Sequence, residues 1–426
     1  MDNKKWKGIT ALFGCFIANM VSGTINLWGA VGIYFTSYYH AKDSAISESD
    51  MYLAFAVAYA LESLFFIIAS SLSEIIGPKL TSLIGVWIGS LFLLSCSFIE
   101  EPYLFCVFYG FYGGIISGMI DVPIIWACWE FFPDKIGRVT SIGFAGYSLG
   151  PMVFGFIWTM LVNPGNDSPH SSHNGNTSTS YFGSNVYDKV PASLRWMSLM
   201  YFLVATIGAL LVRSKSKEKK KVKSTQKISS IVQQKEFWLM FFNFYFLFAP
   251  YSFIFTNYKS IGLTKIKNDH FFAYLGSAGF FSACIARLIW GYLVDKYGWR
   301  KIALFSCIIQ TLVCASIYYV IEFEELYAIW VLVEFIFGSG TYLILMMGCS
   351  ALYPKDDWVV SYCGIGMTLI VATLYGIQLS ITPIIGYGFT FIILVICVIN
   401  SFVLTYFTPN AAPNEKQDVS LISLTN

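Results

Sequence analysis

Charge is scarce in this chain. Only 12% of its 426 residues are Asp, Glu, Lys or Arg, against 56% hydrophobic. A chain of this size with so little charge cannot cover a water-soluble surface. Histidine is nearly missing as well: His40, His170, His173 and His270 are the only four, and all fall in expected exterior loops. No Ser/His/Asp arrangement and no metal-ligand spacing is visible, so no enzyme, cofactor or metal is expected. The ten cysteines (15, 96, 106, 128, 284, 307, 314, 349, 363, 397) form no Cys-x-x-Cys or Cys/His cluster. Nearly all lie within apolar runs, where they read as small packing residues.

What the chain has instead is long apolar runs, each about 20 residues, roughly the length that crosses a bilayer as a helix. Twelve can be drawn: 8–35, 51–73, 79–99, 103–130, 138–162, 193–212, 237–258, 270–293, 300–321, 326–351, 359–381 and 384–407. Closed helices satisfy their own backbone groups in lipid, so the expected fold is an all-α membrane protein. The first run follows a few lysines directly and reads as a span rather than a cleaved signal.

The strongest basic run, Arg213-Ser-Lys-Ser-Lys-Glu-Lys-Lys-Lys-Val-Lys223, lies between the sixth and seventh spans. By the positive-inside rule it is cytoplasmic. Lys79, Lys135, Arg138, Lys296, Arg300 and Lys301 fall on the same side, while Glu100, Glu101, Asp167, Asp188, Glu322, Glu324 and Glu325 fall on the other. Both termini are therefore expected inside, with the plasma membrane as the expected location and an organelle membrane as the alternative. The basic run reads as a solvated connector; binding to acidic lipid or nucleic acid is its alternative. Expected domains are a first six-helix bundle (1–212), a basic linker (213–236), a second bundle (237–408) and a cytoplasmic tail (409–426). The loop at 163–192 carries two glycosylation-type triplets, at Asn166 and Asn176.

The halves repeat at a constant offset of 221 residues, which relates Glu74 to Asp295, Pro133 to Pro354 and Gly143 to Gly364. Six spans plus six with a charged connector is the parallel-repeat plan of secondary transporters, whose substrate site lies near the midplane.

The turn Gly291-Tyr-Leu-Val-Asp295-Lys-Tyr-Gly298-Trp-Arg300-Lys301 resembles the signature loop of the major facilitator superfamily between its eighth and ninth helices. Its first-half copy, Ser70-Ser-Leu-Ser-Glu74-Ile-Ile-Gly77-Pro-Lys79, is degraded: Ser70 stands for the family's opening glycine and Glu74 for its aspartate. More narrowly, Glu130-Phe-Phe-Pro133 through Gly143, Gly146 and Gly150 is similar to the fourth-to-fifth helix region of oxalate:formate antiporters and monocarboxylate transporters. So is Ala351 through Pro354 to Gly364.

That resemblance implies a major facilitator fold of two six-helix bundles carrying a small organic anion such as pyruvate, lactate or formate. Transport would proceed by alternating access, as proton symport or anion exchange. Arg287, four residues before Gly291, occupies the place of the helix-eight arginine that binds the substrate carboxylate; a planar guanidinium can meet both oxygens. The alternative is a structural arginine. The pattern departs in three places: Ala283 stands where an aspartate is usual, span one has no charge, and residues 359–381 hold no lysine. Glu62, Asp121 and Glu334 are the acids inside spans and the candidates for proton coupling. Glu62 maps by the offset onto position 283, and is expected to face Arg287. Trp28, Tyr34, Tyr147, Asn257 and Tyr258 are further candidates for lining the substrate site. Glu74, Gly77, Lys79, Gly291, Asp295, Gly298, Arg300 and Lys301 are expected to gate the cycle. Glycines at 113, 114, 118, 143, 146 and 150, with Pro151, are expected to let helices approach closely. Expected partners are the anion, protons, the lipid bilayer and, as an option, an accessory membrane subunit, with no nucleic acid. Carriage of an amino acid or sugar, or a non-transporting sensor with this fold, are the other readings left open.

Overall fold

A computed structural model describes residues 3–165, 167, 170–174, 177–213, 228–262, 265–266, 269–353, 358–380 and 382–410. Most of the basic run, both glycosylation-type asparagines, Pro354 and residues 411–426 lie outside the described residues. Apart from single turns, the first half consists of α1 (Asn3–Ser22), α2 (Trp28–His40), α3 (Leu53–Ile76), α4 (Pro78–Cys96), α5 (Pro102–Trp129), α6 (Ile136–Val162) and α7 (Val190–Leu211). The second half consists of α8 (Lys235–Gly262), α9 (Asp269–Tyr297), α10 (Trp299–Val320), α11 (Glu324–Gly338), α12 (Thr341–Leu352), α13 (Trp358–Ser380) and α14 (Thr382–Phe407). Between α6 and α7, β1 (His170–Asn174) pairs antiparallel with β2 (Thr177–Tyr181), a small exception to the all-helical expectation.

Eleven helices among the described residues are long and apolar enough to cross a membrane. The remaining expected span, 359–381, coincides with α13, whose described apolar stretch is Tyr362–Val371. Lipid as the surrounding solvent explains the outer faces. Trp87 and Leu91 on α4 and Leu203, Ile207 and Leu210 on α7 are exposed, an arrangement that would drive aggregation in water. The chain is a multi-pass membrane protein.

Contacts gather the chain into two compact units, Met1–Cys128 with Gly146–Arg213, and Trp129–Ala145 with Ser214–Asn426. In the first, α7 packs on α1 and α4. Small residues allow close approach to α1: a Cβ at Gly208 on α7 would collide with the backbone of Ala18, and one at Gly146 or Gly150 on α6 with that of Phe16 or Met20. In the second, α8 packs on α13 and α14, and α10 on α14. The start of α6, residues 136–145, belongs to this second unit although it is part of the first sequence repeat.

Among the described residues, α14 kinks near its start at Gly386 (φ 74°), and two further spans are interrupted along their length. Between α1 and α2 the chain tightens into a 3₁₀ turn, Gly23–Leu27. Gly23 is required by proximity, since a Cβ there would strike the Tyr147 carbonyl. In span ten, α11 ends at Gly338 and α12 restarts at Thr341, close to the middle of the 29-residue stretch Glu324–Leu352. Short 3₁₀ pieces and broken helices inside spans commonly mark hinges and ligand sites.

The two signature turns share one backbone shape. Gly77 (φ 87°, ψ 155°) joins α3 to α4, and Gly298 (φ 84°, ψ 149°) precedes α10. Such torsions are open to glycine and strained for other residues.

Candidate functional site

In the second unit, Arg287 on α9 is buried at 7% exposure, ten residues before the helix ends at Tyr297. That is ~15 Å of helix, too deep for its head group to reach the interface by snorkelling. Its Nε donates to the Ser339 carbonyl at 3.0 Å and its Nη1 to the Phe144 carbonyl at 2.8 Å. The guanidinium also lies 5.7 Å from the centre of the Phe144 ring. Ser339 sits in the break of span ten, so its carbonyl bonds to the arginine instead of extending the helix. The helix resumes with Ile344 N–H on the Gly340 carbonyl.

Glu334, on α11, is fully buried, and among the described residues neither carboxyl oxygen has a hydrogen-bond partner. Tyr251 on α8 lies within electrostatic reach of both Arg287 and Glu334, and its ring is 6.2 Å from Phe335. Tyr258 also faces Phe335, at 6.1 Å, and its hydroxyl donates to the Phe272 carbonyl. Asn257 is buried and donates from Nδ2 to the Phe253 carbonyl and to Thr256 Oγ1, each at 2.9 Å. In the second unit Tyr251 thus links Arg287 and Glu334, each of which it feels electrostatically, while Tyr251 and Tyr258 share contact with the Phe335 ring. Asn257 adjoins Tyr258 in the chain.

The first unit holds the other candidates. Glu62 on α3 is buried; its Oε1 accepts a hydrogen bond from Ser117 Oγ at 2.8 Å, and Ser117 Oγ lies 3.2 Å from Ser22 Oγ at the start of the 3₁₀ turn. Around the same turn, Tyr59 donates to Asn26 Oδ1 at 2.7 Å, and the Thr24 and Tyr112 hydroxyls share a short bond. Asp121 is buried on α5, close enough to bear electrostatically on Cys15. Trp28 opens α2 within an aromatic cluster, its ring 5.8 Å from Phe35 and 5.4 Å from Tyr109. Tyr34 contacts Phe182, 5.1 Å between rings. Tyr147, half-buried on α6, contributes its backbone to the Gly23 contact. Glu62 and Arg287 therefore belong to different units.

At the loops, Asp295 near the end of α9 accepts the Gly137 N–H at 2.9 Å and the Arg138 N–H at 3.1 Å. These amides belong to the first turn of α6, where helical N–H groups lack internal partners and the dipole is positive. The cap is usually a local Ser, Thr, Asp or Asn; here it comes from 157 positions along the chain. Arg138 Nε adds a half-exposed ion pair with Asp295 at 3.5 Å, which contributes little beside the two amides. Gly291 has no room for a side chain, since a Cβ would collide with Ser141 and the Gly137 carbonyl.

Lys79 donates to the Leu210 carbonyl at 2.7 Å, near the end of α7. Arg300 donates to the Thr405 carbonyl at 3.2 Å and also to that of Tyr406, near the end of α14. Glu74 and Lys301 are exposed, and among the described residues neither makes an ion pair.

The break of span ten, with Ser339 and Thr341, was missed in the sequence, as was Tyr251. Its trace there is Gly338-Ser-Gly340-Thr341 inside an otherwise apolar run, a glycine-interrupted segment of the kind that marks transporter sites.

The chain is similar to the apicoplast pyruvate carrier 1 of Toxoplasma gondii, with 22% identity over 378 residues, 70% of this chain and 69% of that protein. Its fold is similar to that of the E. coli fucose:proton symporter, with a TM-score of 0.66 at 14% identity, covering 92% of this chain and 98% of that one. The profile of the Major Facilitator Superfamily matches residues 11–369, and the chain belongs to that superfamily of transporters.

Proposed function

We propose that this transporter carries small monocarboxylates, pyruvate foremost, by alternating access, with Arg287 as the carboxylate-binding residue. The carrying observation is a guanidinium buried deep in a span and fixed by two backbone carbonyls. The carbonyls orient the group without neutralising it, which suits a fixed site for a planar anion. The likeness to a protein named as a pyruvate carrier supports the same substrate class.

Proton symport is the proposed coupling. A bare anion entering the bundle carries its full desolvation cost, and a proton taken up with it removes the net charge. Carboxyls sealed inside bundles are the usual proton relays of carriers. Glu334 is our first choice because it lies in the same unit as Arg287 and acts on the same Tyr251, with Glu62 and Asp121 as the first-unit candidates. Trp28, Tyr34, Tyr147, Asn257 and Tyr258 remain proposed lining residues, and the Asp295 loop the proposed gate. Both termini are proposed to be cytoplasmic.

The test is uptake of labelled pyruvate, lactate, formate and oxalate into proteoliposomes, with and without an inward-acid gradient, for wild type and Arg287→Ala. Monocarboxylate uptake that rises with the gradient and falls at least about a hundredfold in the variant is expected, since losing a charge-assisted pair costs roughly 3 kcal/mol. Absence of monocarboxylate uptake in wild type, or full uptake in the variant, overturns the proposal.

A further inference from the structure

The head of α12 is a helix start in the middle of a span. The first amides of any helix have no carbonyl of their own helix to bond, and the dipole makes that end positive. Such ends hold anions, and in carriers half-helix N-termini meet anionic substrate groups at mid-membrane. A helix start is not a site by itself, but two independent observations coincide here.

The first is the position of the cation. Arg287 Nε bonds to the Ser339 carbonyl, two residues before Thr341, so the buried guanidinium lies beside the helix start. The second is an orphaned hydroxyl. Thr341 is fully buried, and its Oγ1 has no hydrogen-bond partner among the described residues. Two other buried threonines show the usual arrangement. Thr36 and Thr140 return their hydroxyls to the carbonyl four residues back, at 2.9 and 2.7 Å. Leaving a buried hydroxyl unpaired is costly, and a ligand that supplies the partner recovers that cost. Gly340 completes the arrangement: a Cβ there would collide with the Trp290 indole, whose Nε1 donates to the Ile336 carbonyl at 2.7 Å. The bare backbone at 340 lets Trp290 wall one side of the break.

We propose that the head of α12 is the carboxylate subsite of the carrier. The Thr341 hydroxyl and the opening amides of α12 donate to the substrate carboxylate, and Arg287 supplies the opposite charge. This rests on the reading of Arg287 as the carboxylate residue and adds a neutral half to it. A site with one cation and several neutral donors takes a single carboxylate. A dicarboxylate such as oxalate would bring a second charge that this one cation does not match.

The experiment measures initial rates of labelled pyruvate uptake into proteoliposomes for wild type, Thr341→Val, Thr341→Ala, Thr341→Ser and Arg287→Ala. Valine keeps the shape and removes the hydroxyl; alanine removes it without a new branch; serine restores it. The expected result is a KM raised about tenfold in both Val and Ala, a maximal rate within about twofold of wild type, and a near-wild-type KM in Ser, the loss of one hydrogen bond to a charged group. If Val or Ala proves poorly folded, the other, with Ser, still decides. An unchanged KM in a folded Val or Ala variant, while Arg287→Ala abolishes uptake, overturns the subsite and leaves the Arg287 reading standing. No uptake by wild type removes both.

Discussion

The two signature loops of this chain are built alike and held differently. In each half a basic residue reaches the closing helix of that half, Lys79 to the Leu210 carbonyl and Arg300 to those of Thr405 and Tyr406. Cations near helix C-termini satisfy carbonyls that have no internal donor, so this pair serves the scaffold. The acids differ. Asp295 caps two amides at the start of α6, whereas Glu74 is exposed and, among the described residues, makes no ion pair. In the proposed cycle one loop would carry a latch and the other only a corner. A conformational cycle needs a contact with two discrete states, and among the described residues Asp295 is the one of these two acids that holds a partner across elements.

The comparison breaks first at Asp295. Asp295→Asn keeps the shape but loses the charge on the α6 amides, and should lower the maximal transport rate about tenfold with KM within about twofold, the cost of roughly one charge-assisted bond. Glu74→Gln should change neither. Equal loss in both variants would erase the distinction between latch and corner.

The buried acids sharpen the same contrast between halves. Glu334→Gln should abolish stimulation of pyruvate uptake by an inward-acid gradient while leaving exchange of internal for external pyruvate. Glu62 is bonded by Ser117, and Glu62→Gln should shift uptake only modestly and keep its response to the gradient. Uptake that stays gradient-driven in Glu334→Gln and loses that drive in Glu62→Gln would move the proton to the first unit.

The smallest effect concerns the scaffold bases. Arg300→Ala loses two carbonyl bonds and the contact with the Tyr406 ring, and should lower stability in detergent by about 1–2 kcal/mol. Lys79→Ala loses one exposed bond and should cost about half as much or less. A melting-temperature comparison of the two checks the order.

Much of this was legible in the sequence. The spans, the offset of 221 and the turn at Gly291–Lys301 follow from hydropathy and from glycine and charge spacing, which are local properties. The break at Gly338–Thr341 was not, because an apolar average over about 20 residues cannot register a carbonyl that accepts from Arg287. The Asp295 cap was hidden for another reason: the donors to its carboxylate are backbone amides 157 and 158 positions away, and amides carry no residue identity. The hairpin of β1 and β2 was read as plain loop, since its Ser- and Asn-rich composition resembles a solvated linker. The neighbourhood of Glu334 was invisible because acids in spans look alike until the partners of each oxygen are known.

Gly77 and Gly298, with φ of 87° and 84°, carry the likeness of the two turns in the backbone. Side-chain letters at the two turns have drifted, Ser70 and Glu74 against Gly291 and Asp295, yet the backbone angles agree within a few degrees. A turn written in torsions survives changes in the residues that surround it. One copy could then shed its latch without losing its corner, leaving a duplicated molecule whose two halves are the same in form and unequal in duty.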